Sequence, residues 1–460
     1  MSTRARASAA VARAVGRASR ALGRGGGTAL PGHVLVRLDP GAVGRLAADL
    51  PGGCILISAT NGKTTTTRLL VAALRSNGQR VITNAAGANL MSGVATALAE
   101  GRTGQGAPAC GAFEVDEAAL PDVAARVRPT VLLLMNLFRD QLDRHGELEA
   151  IAGRWGAMLE GMDPVPRLVL CADDPLIAAL PRPGSDVIWF GIDDPAVSAG
   201  GLPHAADSIR CRACATPLVY EEVWLGHMGT WACPACGLRR PTPVVAVVHA
   251  GLDGARGARP RFRTTEGDVT LDLGLPGLHN VMNAAGALAA ALARGVPAAD
   301  AAVAISGVGA AFGRGERVRV DDREVVLLLA KNPAGANENV RTLLLEDRDH
   351  DLLVALNDRI ADGRDVSWIW DVDWEPMLPR IRRLTATGTR AHDLALRFRY
   401  AGLDMSRVHV IPDHGAALAG ALAALPAGGT LDVLPTYTAM HEIRTDLVAR
   451  GAASAFWDPA

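Results

Sequence analysis

The sequence predicts an α/β fold with two parallel sheets, the first carrying a small cysteine-rich insertion and the second smaller and Rossmann-like. From about Cys54, short apolar strands alternate with helical segments, which is typical of a parallel sheet covered on both faces. Four cysteines interrupt this alternation within residues 205–241, and a second alternation follows residue 312. The expected regions are an N-terminal basic segment, a first domain and a C-terminal domain: 1–48, 49–312 and 313–460.

The strands of both sheets are predicted from short apolar runs bounded by turn residues. In the first domain they lie at 55–57, 80–83, 112–115, 131–135 and 168–171. In the second domain they lie near 325–329, 352–356, 408–411 and 430–434. Helices are expected at 65–76 and about 280–294, and the run from Gly313 to Glu316 is the expected hinge.

Composition excludes several classes of protein. The 460 residues carry 47 Lys and Arg against 48 Asp and Glu, so no global charge favours nucleic-acid binding. No apolar stretch is long enough to span a bilayer, and the N-terminus lacks the apolar core of a signal peptide. We therefore expect a cytoplasmic protein, with peripheral attachment to the inner membrane face as an open alternative.

The first 24 residues form a basic segment whose arginines recur at helical spacing: Arg13, Arg17, Arg20 and Arg24. This pattern favours a solvated basic helix that ends at Gly25–Gly27. Attraction to an anionic membrane surface and a transit peptide are the alternatives.

Lysine is almost absent from the chain. Only Lys63 and Lys331 occur, and every other basic residue among the 47 is arginine. A compact ammonium can do what a planar guanidinium cannot. Because both lysines fall within recognisable motifs, we expect each to have a specific function.

The segment from Ile57 to Thr65 joins a buried strand to a helix, where a phosphate group meets unpaired N–H groups and the positive end of the helix dipole. Gly62 allows close backbone approach, Lys63 can reach the β- and γ-phosphates, and the Thr64 hydroxyl can bind Mg²⁺. The strict P-loop spacing fails, since Ile57 stands where glycine is required. The predicted ATP-binding residues are Thr60, Asn61, Gly62, Lys63, Thr64 and Thr65.

Glu114 is predicted to end a strand at the carboxyl edge of the same sheet. Ligands of open parallel sheets bind at that edge, so this carboxylate could complete a Mg²⁺ shell with Thr64. A surface acid at a strand end is the alternative.

Cys211, Cys214, Cys233 and Cys236 form two C-x-x-C knuckles at the spacing of a zinc ribbon. Four thiolates make a closed site, so we expect a structural Zn²⁺ rather than two disulfides, which a cytoplasmic location disfavours. The segment has few aromatic residues for base stacking, which favours packing or docking over nucleic-acid binding. The other cysteines are expected in the core: Cys54, Cys110 and Cys171.

These motifs resemble the Mur ligases, which build the peptide stem of peptidoglycan. The resemblance rests on the segment Thr60–Thr65, an acidic motif with Asn136, Asp140 and Asp143, the run Ala172–Pro175, and the helix segment Gly277–Ala284. It implies that Asn280 and Asn283 lie near the nucleotide. Lys331 precedes Asn-Pro where the family typically has His-Asn-Pro, so Lys331 is expected to contact the nucleotide as well.

Two differences from the amino-acid-adding Mur ligases narrow the resemblance to one branch of the family. Amino-acid-adding Mur ligases use a carbamylated lysine in the central domain, but here no lysine lies between Lys63 and Lys331. The inserted zinc ribbon and the segment from Asn357 to Asp371 are instead similar to the MurT subunits of lipid II isoglutaminyl synthases.

The resemblance implies a ligase subunit in peptidoglycan synthesis. It would phosphorylate the α-carboxyl of D-glutamate in lipid II, with Lys63, Glu114 and Mg²⁺ serving the transfer, and ammonia would then displace phosphate to give D-isoglutamine. A partner glutaminase of the GatD type would supply the ammonia. By the same resemblance, Asp365 would reach across the interface and orient the partner's histidine. The spacing of the aspartates does not choose among Asp358, Asp362, Asp365 and Asp371.

Two other functions remain open. One is an amino-acid-adding ligase of the muramyl or folyl-polyglutamate type, against which the missing lysine counts. The other is a zinc-ribbon NTPase that binds nucleic acid or protein, against which the neutral charge counts.

Overall fold

The structure is a computed structural model that describes residues 3–21, 29–84, 87–101, 109–140, 148–203, 206–309 and 314–453. Three sequence predictions fall outside these residues: the helix break at Gly25–Gly27, Asp143 of the acidic motif, and Gly313 of the expected hinge.

The first sheet has nine strands in the order β13-β12-β9-β6-β5-β4-β1-β3-β2. Its strands are β1 Cys54–Ser58, β2 Val81–Thr83, β3 Cys110–Glu114, β4 Val131–Leu134, β5 Arg167–Cys171, β6 Val187–Ile192, β9 Val245–His249, β12 Arg261–Thr264 and β13 Gly267–Thr270. The seven strands from β2 to β9 in this order pair in parallel, whereas β12 and β13 extend the sheet as an antiparallel hairpin. The predicted parallel sheet is confirmed; strand β6 and the hairpin were not predicted.

The helices of this part are α1 Thr3–Ala21, α2 Leu30–Leu38, α3 Ala42–Ala48, α4 Lys63–Ser76, α5 Met91–Glu100, α6 Leu120–Val127, α7 Leu148–Glu160, α8 Pro175–Ala178, α9 Leu278–Ala293 and α10 Ala298–Ser306. Helix α9 is buried around nearly its whole circumference, because its alanines and Gly286 let it lie close to the sheet and to α4. This burial brings the polar residues at its start to the end of β1.

Helix α1 differs from the solvated helix that its arginines favoured. Ala9 and Ala12 are fully buried in the same core as the sheet, and Arg13 donates to the carbonyl of Ala99. Small apolar residues on the face next to the arginines pack against the domain, so this expectation is wrong for one face of the helix.

The cysteine segment forms a two-stranded antiparallel hairpin, β7 Val219–Leu225 and β8 Met228–Ala232. A second small antiparallel pair follows β9, formed by β10 Leu252–Asp253 and β11 Gly257–Ala258. The core cysteines behave as predicted, since Cys54, Cys110 and Cys171 are all buried.

The second sheet has six strands in the order β14-β15-β19-β16-β17-β18. Its strands are β14 Arg314–Val320, β15 Arg323–Leu328, β16 His350–Ala355, β17 Ile381–Thr387, β18 Val408–Val410 and β19 Thr430–Pro435. Only the β14–β15 pairing is antiparallel. Its helices are α11 Pro333–Leu344, α12 Ala391–Ala401, α13 His414–Ala424 and α14 Tyr437–Ala449.

Alternating side chains of the central strands fill two separate cores on the opposite faces of this sheet. Leu352 and Val354 of β16 pack on one face, and Leu353 and Ala355 pack on the other. Two short 3₁₀ helices, Ser367–Asp371 and Glu375–Arg380, lead from β16 to β17. Across the described ranges, no helix has both the length and the hydropathy that a transmembrane span requires.

Candidate active site

The predicted phosphate loop lies between the end of β1 at Ser58 and the start of α4 at Lys63. Gly62 precedes the helix in a left-handed conformation with φ of 94°. A Cβ atom at Gly62 would lie 2.0 Å from Oδ1 of Asn283, on helix α9. The loop therefore needs glycine here for its backbone conformation and for the close approach of the helix.

Residues that follow β4 hold this loop in place. The Asn136 side chain accepts from the Asn61 backbone N–H (2.9 Å) and donates to the Asn61 carbonyl (3.1 Å). The Thr60 N–H donates to the carbonyl of Asn136 (3.0 Å). The Thr60 hydroxyl accepts from the Phe138 N–H (3.0 Å), so this threonine anchors the loop to the neighbouring strand end.

Lys63 is half-buried at the end of this loop, beside the buried Glu117. Its Nζ donates to Oε2 of Glu117 (2.7 Å) and to the carbonyl of Ala59, with a longer contact to Thr60 O (3.4 Å). Burial alone would lower the pKa of Lys63, but the Glu117 carboxylate outweighs burial and holds this pKa above its usual value. Burial would likewise raise the pKa of Glu117, and the charges of Lys63 and Lys331 hold it below its usual value.

Glu117 is the residue that the sequence interpretation missed. Glu114 ends β3 as predicted and is buried, but its Oε1 accepts from the Gly87 N–H (3.2 Å). The signal was available, because Glu117 follows Glu114 by three residues at the same sheet edge. Thr64 is half-buried in the first turn of α4 and Thr65 is buried; the Mg²⁺ pair of Thr64 and Glu114 stays a prediction.

The start of the C-terminal half closes onto the same loop. The Asn332 and Asn61 side-chain amides exchange two hydrogen bonds, with Asn61 Nδ2 at 3.3 Å and Asn332 Nδ2 at 3.1 Å from the opposite oxygens. The Lys331 ammonium donates to the Thr60 carbonyl (3.3 Å) and forms an ion pair with Asp140. We name this set of contacts, made by Lys331 and Asn332 with Asn61, Thr60 and Asp140, the clasp.

Asn280 and Asn283 lie in the first two turns of α9 and are both buried. Asn283 Nδ2 donates to Oδ1 of Asn280 (3.1 Å), and Asn280 Nδ2 donates to the carbonyl of Pro276 (2.7 Å). Since Asn283 also contacts the loop at Gly62, the structure brings this pair to the predicted nucleotide site.

Gly62→Ala is expected to weaken nucleotide binding by about tenfold or more, because a left-handed alanine is strained and its methyl group would collide with Asn283. Calorimetric titration with a non-hydrolysable ATP analogue measures this. Gly78→Ala is the matched control: Gly78 follows the same helix with φ of 73°, but no atom lies within 4 Å of its Cβ position. The control should lower the melting temperature alone, and equal loss of affinity in both variants would contradict the role of Gly62.

The four predicted cysteines come together at the base of the β7–β8 hairpin. All their Sγ atoms lie within 4.8 Å of one another, with Cys211–Cys236 at 3.6 Å and Cys214–Cys233 at 3.5 Å. Zn–S bonds of about 2.3 Å in a tetrahedron place sulfur atoms about 3.8 Å apart. These residues therefore fit a closed Zn²⁺ site.

The two knuckles have the same backbone geometry. The Ala215 N–H donates to Cys211 O (2.7 Å), and the Gly237 N–H donates to Cys233 O (3.1 Å). Ala215 and Gly237 are both left-handed, with φ of 59° and 75°. Hydrogen bonds with Thr216 lower the pKa of Cys214 to about 6, whereas at Cys236 the Leu238 backbone acts to lower the pKa but the neighbouring thiols raise it.

The four-cysteine site and the β7–β8 hairpin together form a ribbon, which packs on the rest of the first domain. Trp231 is buried and donates from Nε1 to Ala172 O (3.3 Å). Arg240 bonds to Asp173 (2.7 Å) and to the carbonyl of Ile192 (2.7 Å), and burial raises the pKa of Asp173 to about 6 although Arg240 acts against this. The run Ala172–Pro175 thus anchors the insertion to β5.

Of the four aspartates in its segment, Asp365 is the exposed one, and among the described residues it bonds only to Ser367. Asp358 accepts from the Thr389 hydroxyl (2.8 Å), Asp362 is buried and caps the start of α14, and Asp371 lies 3.3 Å from Arg139. Asp365 accepts the backbone N–H of Ser367 (2.8 Å), and this bond together with the Ser367 hydroxyl lowers its pKa. The geometry therefore leaves this carboxylate ionised and accessible.

Comparison with known proteins identifies the family. Residues 57–221 match the Mur ligase middle domain, and residues 329–440 match the MurT ligase C-terminal domain. Over 433 residues the chain is 31% identical to the MurT subunit of the glutamine-hydrolysing lipid II isoglutaminyl synthase of Streptococcus pneumoniae, with 93% of each chain covered. The chain belongs to the MurT family of Mur ligases. The family resemblance expected from the motifs is confirmed.

Solved structures of other Mur ligases share the fold of this MurT-family chain. A pseudomurein peptide ligase type C from Methanothermus fervidus superposes with a TM-score of 0.69 at 20% identity, covering 89% of this chain and 80% of the other. The MurF ligase of Thermotoga maritima, solved in complex with ADP, gives 0.64 at 12% identity, covering 91% and 85%. The phosphate loop lies within the residues that match the Mur ligase middle domain. Lys331, Asn332 and Asp365 lie within the residues that match the MurT ligase C-terminal domain.

Proposed function

We propose that this chain is the synthetase subunit of a lipid II isoglutaminyl synthase and amidates the D-glutamate α-carboxyl of lipid II at the expense of ATP. The relative that supports the substrate is a MurT subunit of that name. The observation that carries the chemistry is the half-buried Lys63, paired with Glu117 at the end of a loop that Asn136 holds and the clasp closes.

A carboxylate is a poor electrophile, so the reaction requires a leaving group. Transfer of the γ-phosphoryl of ATP to the carboxylate would form an acyl phosphate, which ammonia attacks at carbon with loss of phosphate. Lys63 would stabilise the charge that develops on the transferred phosphoryl, and the loop N–H groups would orient it. Asn280 and Asn283 would fix the nucleotide from the side of α9.

Two metal ions belong to this proposal. Thr64 and Glu114 would hold a Mg²⁺ ion, which neutralises phosphate charge when bound. Cys211, Cys214, Cys233 and Cys236 would hold a structural Zn²⁺ ion; with no open coordination position, that ion would take no part in the chemistry.

Ammonia would come from a glutaminase subunit of the GatD type. The exposed and ionised Asp365 supports this part of the proposal, because a carboxylate that bonds only to the nearby Ser367, among the described residues, can still orient a histidine of another chain. The lipid tail of the substrate would place the reaction at the inner membrane face. The exposed Arg17 of α1, a helix with no acidic residue, is suited to anionic lipids there.

The test is amidation of purified lipid II with ATP, Mg²⁺ and ammonium chloride, followed by mass spectrometry of the lipid and by phosphate release. We expect amide and phosphate in equal amounts from the chain alone. Glutamine should replace ammonia only after a glutaminase subunit is added. Ligation of an amino acid in place of ammonia would overturn the proposal in favour of an amino-acid-adding ligase.

A further inference from the structure

We propose that the hairpin of the four-cysteine ribbon is a positioning element for nucleotide binding, because it supports both the strand end behind the phosphate loop and the helix that carries the clasp. This inference rests on the proposed function for the identity of the ligand. It assigns the insertion a role in the ligase reaction, and Arg341 is the residue through which that role can be tested.

The first contact of the hairpin lies behind the phosphate loop. The His227 ring, fully buried at the turn between β7 and β8, packs on Phe138 with centroids 4.9 Å apart. At the adjacent Gly226 an added Cβ would lie 2.8 Å from the Phe138 ring. Since the Phe138 N–H donates to the Thr60 hydroxyl, one residue separates the hairpin from the loop.

Asp174 strengthens this support. Its Oδ2 accepts from the Leu137 N–H (2.9 Å) and lies 3.4 Å from Nε2 of His227. Its Oδ1 accepts from the N–H groups at the start of α8, so the carboxylate joins the strand end, the hairpin turn and this helix. Leu137 is thus held by Asp174, and Phe138 is held by the hairpin turn.

The second contact reaches helix α11. Arg341 donates from NH1 to the carbonyl of Trp224 (2.8 Å) and from NH2 to the carbonyl of Val197. Trp224 belongs to β7, while Arg341 lies on the helix whose N-cap is the clasp residue Asn332. Because a helix moves as a rigid body, holding α11 at Arg341 also holds Asn332 against Asn61.

The base of the hairpin is rigid enough to serve as a support. The four cysteines close one end, Trp231 and Arg240 fasten it to β5 and β6, and the Gly229 N–H donates to Asp173 O (3.0 Å). The ribbon therefore connects the cysteine site to the phosphate loop and to the clasp through short contacts. Both hairpin contacts, one at His227 and one at Trp224, join the hairpin to other parts of the same chain.

The experiment uses the full chain with Arg341→Met, which keeps the aliphatic stem and removes the two hydrogen bonds and the 3.8 Å ion pair with Glu338. We expect the Kd for a non-hydrolysable ATP analogue and the KM for ATP to rise about tenfold, with zinc content unchanged. Hydrogen exchange at the Asn61 amide, which bonds to Asn136, should become faster. Arg239→Met is the control, since Arg239 is exposed on the ribbon and bonds only to Gly237 O (3.5 Å) among the described residues.

A second variant, Cys236→Ser, tests whether the hairpin needs the four-cysteine site to support nucleotide binding. It should lose zinc and weaken nucleotide binding by a similar factor, and combination with Arg341→Met should add little further loss. Arg341→Met that binds the analogue as tightly as wild type overturns the positioning role, as does Cys236→Ser that loses zinc but keeps full affinity. If the wild-type chain itself bound no nucleotide, the proposed function would fail instead.

Discussion

Lys63→Met is expected to reduce ammonia-fed amidation by on the order of 10²–10³-fold, because it removes the ammonium that would face the transferred phosphoryl. In this structure Nζ donates to Glu117, Ala59 and Thr60, so its position is fixed by three acceptors around one compact cation. Arginine cannot reproduce this arrangement with its planar fork, and Lys63→Arg should be nearly as inactive. Phosphate release and amide formation should fall together.

The same substitution also affects stability, and the two effects can be separated. Without Lys63, Glu117 would stay buried and unpaired, so the melting temperature should fall. The double variant Lys63→Met/Glu117→Gln removes both charges and should recover most of the melting temperature but none of the activity. Arg68→Met, five residues along the same helix, is the control for loss of a cation alone.

The pKa shifts of Glu117 and Lys63 define the pH range over which their ion pair stabilises the folded protein. The pKa of Glu117 is lowered, so its contribution to stability is present above the pKa of an unfolded glutamate and is lost as pH falls through the lowered value. The pKa of Lys63 is raised, so its contribution is lost only as pH rises through that raised value. If Lys63→Met amidated lipid II at a near-wild-type rate at neutral pH, the proposed catalytic role of Lys63 would be wrong.

The phosphate loop and the cysteine knuckles could be predicted from sequence because each is local. Residues 57–65 contain a strand end, a glycine, a lysine and a helix start in order, and the observed helix begins at Lys63. The paired C-x-x-C motifs fix their own geometry through turns of five residues. In the loop and within each knuckle, the residues that act together are also neighbours in the chain.

The motif at Lys331 predicted that its segment lies near the nucleotide, but the hydrogen bonds of the clasp could not be predicted, because Asn61 and Asn332 are 271 residues apart. The partner of Lys63 was missed for a related reason: Glu114 and Glu117 share a sheet edge, and only the loop after β3 decides which one faces the ammonium. Strand β17 was missed because arginines and threonines break its apolar run, although Leu384 and Ala386 are buried.

Asp365→Asn is expected to lower glutamine-driven amidation by about 10²-fold or more in the complex with a glutaminase subunit, while ammonia-fed amidation stays within about twofold. The amide can still accept the Ser367 N–H, so the local turn should survive. What disappears is the negative charge that would orient and stabilise a histidine of the partner. Parallel assays with glutamine and with ammonium chloride measure the two rates on the same preparation.

A control variant is needed to show whether Asp365→Asn loses activity because the local turn changes or because the negative charge is lost. Asp404 is also exposed, also accepts the N–H of the serine two residues on (3.0 Å), and also has a lowered pKa. Asp404→Asn therefore reproduces the local change at a site outside the Asn357–Asp371 segment, and it should leave both nitrogen sources unaffected. Equal loss with glutamine and ammonia in Asp365→Asn would mean that this carboxylate serves the ligase chain itself, and the role across the interface would then pass to another residue.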